Sequence, residues 1–323
     1  MIEVLYCFDE NYNTQGFSSI YSLLNKSSIK LNINIIHKSI SDVNLLPKQI
    51  LNHKNLNNIN VYKFINKGYD FPNINGSHVS EATYYRLFIE DYLPNSIQQF
   101  VYMDADIVCV NDPSPDIEIE VNKLKTSDKV ISCKTELYFN ENNEAFNRLK
   151  MNSNEYFNAG LMVIDLKKWR DQRIKLGILD LLQEEYNNLK YWDQDLLNCF
   201  FDGKYIKLDE KFNKVIDLAA YEYTNFSISN KDFKKNAIFV HYAGSHKPWN
   251  INGILCNLSE IYQQNFRDLF GSKYHITHKM KRLSIYYLIR SFINFSFFKS
   301  KYPVWLLYCF VQSLFSNKKY NFN

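Results

Sequence analysis

The sequence predicts an α/β protein built on a doubly wound, mostly parallel central sheet. Three observations point to it. Short apolar stretches alternate with helically spaced ones from residue 2 onward, the rhythm of parallel strands joined by crossover helices. Residues 100–103, 161–164 and 238–240 are continuously apolar, as in strands covered on both faces. A hydrophobic share of 46% over 323 residues supplies a large core.

Residues 2–8 read as the first strand, ending at Asp9-Glu10-Asn11-Tyr12. Residues 15–25 carry Phe17, Ile20, Tyr21 and Leu24 on one helical face. Residues 31–36 form a second strand, Ser41-Asp42 opens a helix to about 51, and residues 59–65 form a third strand. Ser77 or Ser80 caps a helix over residues 81–88. Arg86 lies there among apolar residues, so its charge meets an anion or a structural carboxylate.

Asp104-Ala105-Asp106 then interrupts the apolar run from Phe100 to Val110. Two residues apart on a strand, the carboxylates share a face. At the carboxyl end of a central strand they suit a hard divalent cation. The bland alternative is a strand running into the polar turn at Asn111-Asp112-Pro113-Ser114. A polar insertion follows to about 153, with a strand near 129–133. Asn158-Ala159-Gly160 leads into another buried strand, and Lys167-Lys168-Trp169-Arg170 opens a helix running through Tyr186. Asp193-Gln194-Asp195 starts an amphipathic helix. Capping and the helix dipole account for one acid. Two acids and an amide beside Tyr191 and Trp192 also suit sugar hydroxyls and ring faces. The strand before His241 ends in Gly244, Lys247 and Pro248-Trp249. A histidine at a strand end is commonly structural; His241 there could instead complete a metal site with the aspartates, and Lys247 could neutralise a phosphate.

What is missing narrows the chemistry. Only nine glycines occur, and none forms a dinucleotide fingerprint or a P-loop. Phosphates therefore need a metal and basic side chains. The six cysteines form no C-x-x-C pair and read as reduced core residues of a cytosolic protein. The N-terminus already reads as a strand, so no secretion signal is expected. Residues 269–323 hold nine of the 38 basic residues and none of the 34 acidic ones, which leaves residues 1–268 net acidic. This divides the chain into a body, 1–268, and a basic, aromatic helical tail, 269–323. Neither apolar run of the tail reaches the ~18 residues of a spanning helix. Interleaved basic and aromatic residues suit an anionic membrane surface, the alternative being a helical unit packed on the body. No nucleic-acid module appears.

Taken together, Asp9-Glu10-Asn11-Tyr12, His78 with Thr83-Tyr84-Tyr85-Arg86-Leu87, Met103-Asp104-Ala105-Asp106, Tyr156-Phe157-Asn158-Ala159-Gly160, Leu166-Lys167-Lys168-Trp169-Arg170, Asp193-Gln194-Asp195-Leu196-Leu197-Asn198 and His241-Tyr242-x-Gly244-x-x-Lys247-Pro248-Trp249 resemble glycosyltransferase family 8. That family includes bacterial lipopolysaccharide galactosyl- and glucosyltransferases and shares a fold with glycogenin. The resemblance implies the GT-A fold, a UDP-hexose donor, Mn2+ or Mg2+, and transfer with retention. It implies Asp104, Asp106 and His241 as metal ligands, Asp9 and Asn11 as uridine and ribose contacts, and Gly244 and Lys247 as diphosphate contacts. Arg86, Asn158, Asp193 and Gln194 then face the donor sugar, and His78, Tyr191 and Trp192 the acceptor pocket. Gln194, with Asp193, is expected to stabilise an oxocarbenium-like centre during front-face attack. Asp195 is either a rival covalent nucleophile or a structural cap.

The expected acceptor is a glycan or glycolipid, lipopolysaccharide by preference. The expected location is the cytoplasm, peripheral on the inner face of the cytoplasmic membrane. The alternatives are a sugar-phosphate nucleotidyltransferase and a non-catalytic sugar-nucleotide-binding protein.

Overall fold

The computed structural model describes residues 1–72, 80–136, 144–220 and 230–315. Ten strands are present among them: β1 Ile2–Phe8, β2 Leu31–His37, β3 Leu56–Lys63, β4 Gln99–Met103, β5 Ile107–Cys109, β6 Ile131–Thr135, β7 Phe157–Asp165, β8 Ile206–Lys207, β9 Lys214–Ile216 and β10 Phe239–Tyr242. Seven form a sheet ordered β3-β2-β1-β4-β7-β6-β8, and three form a smaller one ordered β5-β10-β9. In the large sheet β7 runs antiparallel to β4 and β6, and the other pairs are parallel.

Period-two alternation explains the layers. Leu5, Cys7, Phe100 and Tyr102 point to one face, against the segment Glu81–Phe88 and the helices Ile174–Glu184 and Trp192–Phe201. Val4, Tyr6, Phe8, Val101 and Met103 point to the other, against the helices Asn13–Lys26 and Ser114–Thr126. Every residue of β7 is buried.

Several elements depart from expectation for local reasons. The helix expected from Ser41 is a short 3₁₀ turn, Val43–Leu45, and one turn of helix, Lys48–Leu51. Pro47 separates them by holding the preceding residue extended. The segment Glu81–Phe88 winds as a 3₁₀ helix, with Ser80 Oγ accepting from Ala82 N at 3.3 Å. The helix expected to run through Tyr186 breaks after Asp171, where Arg173 takes a left-handed φ of 53°.

The tail folds as two helices, Lys281–Ile293 and Pro303–Phe315. Leu288, Leu306, Cys309 and Phe310 bury an inner face against Ile251, Ile254, Tyr274 and Ile276. Thr277 N donates to Trp249 O at 2.8 Å. The unit is thus tied to the chain directly after Lys247. Its outer face exposes Ile289, Phe298, Val304, Trp305 and Tyr308 beside Lys281, Arg282 and Lys299. No helix among the described residues is long and apolar enough to cross a membrane.

Candidate active site

The chain leaves the large sheet at Asp104 and enters the small one at Ile107. Asp104-Ala105-Asp106 is therefore a turn at the seam, closed by Ile107 N donating to Asp104 O at 3.2 Å, rather than part of one strand. Each side of the seam supplies a neighbour. Pairing of β4 with β7 sets Asp104 N on Gly160 O at 2.8 Å. Pairing of β5 with β10 sets Ile107 opposite His241, and Tyr242 N donates to Asp106 O at 3.2 Å. Gly160 admits the His241 ring, because a Cβ there would stand 2.5 Å from His241 Cε1.

One oxygen from each aspartate and one ring nitrogen of His241 consequently lie within 4.8 Å of one another. Asp106 Oδ1 is buried, has no hydrogen-bond partner, and lies 3.4 Å from His241 Nε2. An orphaned buried carboxylate oxygen is costly unless a cation meets it. Two carboxylates and an imidazole fit a divalent cation, which Asp104, Asp106 and His241 would hold.

Two cations flank the pair, Arg86 buried and Lys247 half-buried. Arg86 Nη2 meets Asp104 Oδ1 at 3.0 Å and Arg86 Nε meets Asp193 Oδ2 at 2.8 Å, while Nη1 donates to Ala159 O at 2.5 Å. Its guanidinium lies 4.4 Å from the centre of the Tyr102 ring, whose hydroxyl donates to Asp104 Oδ1 at 2.6 Å. Lys247 Nζ meets Asp106 Oδ2 at 2.8 Å and donates to Tyr242 O at 2.5 Å. Burial raises the Asp104 pKa against the opposing pull of Arg86. Burial works the same way on Asp106, but Lys247 and His241 outweigh it and hold that carboxyl well below the usual range. Asp193 is pushed up to about 6 by burial, against Arg86 and a hydrogen bond from Thr83.

Asp9, Arg86, Asp104, Asp106 and Lys247 line one cleft, together with Tyr12 and Thr83. Asp9 caps the turn after β1 by accepting from Asn11 N at 3.0 Å, and Asn11 is exposed at the rim. Gln194 Oε1 accepts from Ala159 N at 3.0 Å, which holds the amide beside the Asn158-Ala159-Gly160 turn. Asn158 spends both ends of its amide inside the protein, on Glu136, Gly160 and Asn213. Gly244 takes φ 78°, a conformation suited to glycine, and faces Asp217. Tyr191 N binds Asp195, and Trp192, at φ 50°, packs on the main core. His78 lies outside the described residues.

Of the two readings open for Asp195, the contacts support the structural one. The carboxylate is fully buried and accepts from Arg148, Tyr156 OH, Lys190 N and Tyr191 N. Four site residues escaped the sequence reading. Thr83 and Tyr102 lie beside Arg86 and Asp104 with no signal of their own, and Glu136 and Asn213 belong to no motif.

The protein thus has a GT-A fold, with an Asp-Asp-His group and two cations meeting at the seam between its two sheets. Residues 3–253 match glycosyl transferase family 8, and the chain belongs to that family. It is 31% identical over 183 residues to a lipopolysaccharide 1,2-glucosyltransferase of Escherichia coli, spanning 52% of this chain and 50% of that protein. It is 30% identical over 171 residues to a lipopolysaccharide 1,3-galactosyltransferase of Salmonella typhimurium, spanning 52% and 49%. The matches thus span about half the length of these curated relatives. In three dimensions it resembles the galactosyltransferase LgtC, solved with donor and acceptor sugar analogues. The TM-score is 0.69 at 20% identity, over 88% of this chain and 100% of that one.

Proposed function

We propose that this glycosyltransferase moves galactose or glucose from UDP to a hydroxyl of a glycan or glycolipid, with retention at the anomeric carbon. Lipopolysaccharide is the favoured acceptor class, in keeping with what the relatives are named for. The observation that carries the reading is that Asp104 and Asp106, grouped with His241, line one cleft together with Lys247 and Arg86. A divalent cation bound there, Mn2+ by preference, supplies positive charge to the departing diphosphate.

In this reading the ammonium of Lys247 and the backbone at Gly244 bind the diphosphate. Asp9 and Asn11 bind the nucleoside. Arg86, Asn158, Asp193 and Gln194 shape the sugar pocket, and His78, Tyr191 and Trp192 the acceptor side. Arg86 fixes Asp193 by an ion pair, so the carboxylate needs no reorganisation when positive charge develops on the sugar. Gln194 turns its amide to the same region. A neutral amide is a poor nucleophile, which favours front-face attack, with the leaving UDP accepting the acceptor's proton. Asp195 contributes by anchoring the start of the helix that carries Asp193 and Gln194.

The outer face of the tail attaches the enzyme to the inner face of the cytoplasmic membrane. Its exposed aromatic and basic residues support this reading, since aromatic rings and cations together suit an anionic interface. The deciding experiment is a UDP-sugar panel with Mn2+ and with chelator, reading UDP release and the anomeric configuration of the product. Metal-dependent release from UDP-galactose or UDP-glucose, with an α-linked product, is expected. No release from any donor would leave only a binding protein.

A further inference from the structure

His241 faces the carboxylates through Nε2 alone. Its Nδ1 lies 3.0 Å from Oδ1 of the fully buried Asn213. Asn213 Nδ2 donates to Asn158 Oδ1 at 2.8 Å, an oxygen that also accepts from Gly160 N at 2.9 Å. Asn158 Nδ2 donates to Glu136 Oε1 at 2.7 Å. An amide can be placed either way round, so the direction of such a chain must come from groups with a single role.

Two groups here have one. A backbone N–H only donates, so the Asn158 atom facing Gly160 N is oxygen. A carboxylate only accepts, so the Asn158 atom facing Glu136 is nitrogen. The two ends agree. Asn158 Oδ1 then takes its second hydrogen bond from the Asn213 amide nitrogen, which turns the Asn213 oxygen toward His241. An oxygen at that place requires a proton on Nδ1.

We propose that Glu136, Asn158 and Asn213 form a directional hydrogen-bond chain that locks His241 in its Nδ1–H tautomer. The Nε2 lone pair is thereby held toward Asp104 and Asp106. Asn213 is the positioning residue, acting through His241, as partners of the second imidazole nitrogen do at metal sites. The purpose of the chain rests on the metal reading above, but the tautomer does not.

The test begins with the metal-free full chain, 15N-labelled at histidine, at pH ~8.5, about two units above the value of free imidazole. His241 is assigned by the signals lost in His241→Gln. A protonated Nδ1 and an unprotonated Nε2 are expected, and the opposite tautomer overturns the proposal. Asn213→Leu removes the acceptor and should weaken Mn2+ binding, read by electron paramagnetic resonance, by about 10–100-fold. Asn213→Asp keeps the acceptor for Nδ1 but loses the donor to Asn158 Oδ1, so it should bind Mn2+ more weakly than the parent and more tightly than Asn213→Leu. Unchanged Mn2+ binding by a folded Asn213→Leu protein also overturns the proposal. Should that variant not fold, the parent spectrum decides alone. Should the parent bind no Mn2+, the metal reading fails, and the tautomer is still judged by the spectrum.

Discussion

Gly160→Ala is the sharpest perturbation of the seam. Gly160 sits mid-strand in β7 without a positive φ, so alanine is acceptable to the backbone and even reduces the freedom of the unfolded chain. The obstacle is local. The new Cβ would stand 2.5 Å from His241 Cε1 and 2.9 Å from Asn158 Oδ1. Carbon–carbon contacts settle near ~3.5–4.0 Å, so the imidazole must retreat by about 1 Å. A misplacement of about 1 Å in a catalytic group can cost ~100-fold in rate. We expect Gly160→Ala to fold, and to lose about two orders of magnitude in metal-dependent UDP release with a parallel loss of Mn2+ affinity. The assay is UDP release titrated with Mn2+, with circular dichroism as the fold control. A double variant with His241→Gln should be no worse than His241→Gln alone if the clash acts through the imidazole. Parent-like rate and Mn2+ affinity in a folded Gly160→Ala protein would refute the assignment of His241.

Three further outcomes are expected. His275 is buried between Tyr262 and Phe266, and burial pushes its pKa down to about 3. The folded form thus resists protonation; stability is complete above the unfolded value of ~6.5 and falls as pH drops toward 3, by about 2 kcal/mol at pH 5. That corresponds to roughly 4 °C in Tm, a loss that His275→Gln should flatten. Arg86→Leu leaves the buried Asp193 and the half-buried Asp104 without their counter-ion and should cost about 3–5 kcal/mol by urea denaturation; Arg86→Lys cannot span both acids and should recover only part. Phe298→Ser with Trp305→Ser alters only exposed side chains. At ~1.5–3 kcal/mol per buried aromatic, the pair should weaken binding to anionic vesicles at least ~tenfold while leaving Tm and UDP release unchanged. Unaltered vesicle binding would remove the outer face from membrane attachment. Truncating the tail is a poorer probe, because it uncovers Ile251 and Ile254 and cuts the bond from Thr277 to Trp249, beside Lys247.

Much of the fold was legible because burial on two faces writes continuous apolar runs, and residues 100–103 and 161–164 lie in β4 and in the second half of β7. Asp104, Asp106 and His241 were legible for the same reason: polar groups at the ends of apolar runs stand out. The reason the two aspartates converge was not legible. They were read as alternate residues of one strand, whereas the structure turns the chain between two sheets there. Transfer of a strand from one sheet to another depends on pairing with β10, some 130 residues away, and leaves no local mark. Asn213 illustrates the same limit. It stands in Lys211-Phe212-Asn213-Lys214, one asparagine among many, and only β9–β10 pairing brings it against His241. Asp195 was ambiguous because a helix-start acid explains itself locally. Its partner Arg148 sits in the polar insertion, where nothing marks a contact 47 residues away.

On the proposed reading, the charges at the seam would admit an anionic donor only after a cation has entered. Asp104, Asp106 and Asp193 carry three negative charges, and Arg86 and Lys247 return two positive ones. With His241 neutral, this inner group is net negative and repels a diphosphate. On the proposed reading, a dication reverses the sign, and a monovalent ion would only cancel it. Lys247 shares in the reversal. In the structure it is bound to Asp106; a cation held by that carboxylate would compete with Lys247 and leave its ammonium to phosphate. Arg86 has no such freedom, since it meets two carboxylates and the Ala159 carbonyl together. The two cations therefore divide the work. Arg86 holds Asp104 against Asp193, and Lys247, on the proposed reading, answers to the ligand. The prediction that separates them is direct: Lys247→Ala should raise KM for the donor far more than it lowers stability, and Arg86→Leu should do the reverse.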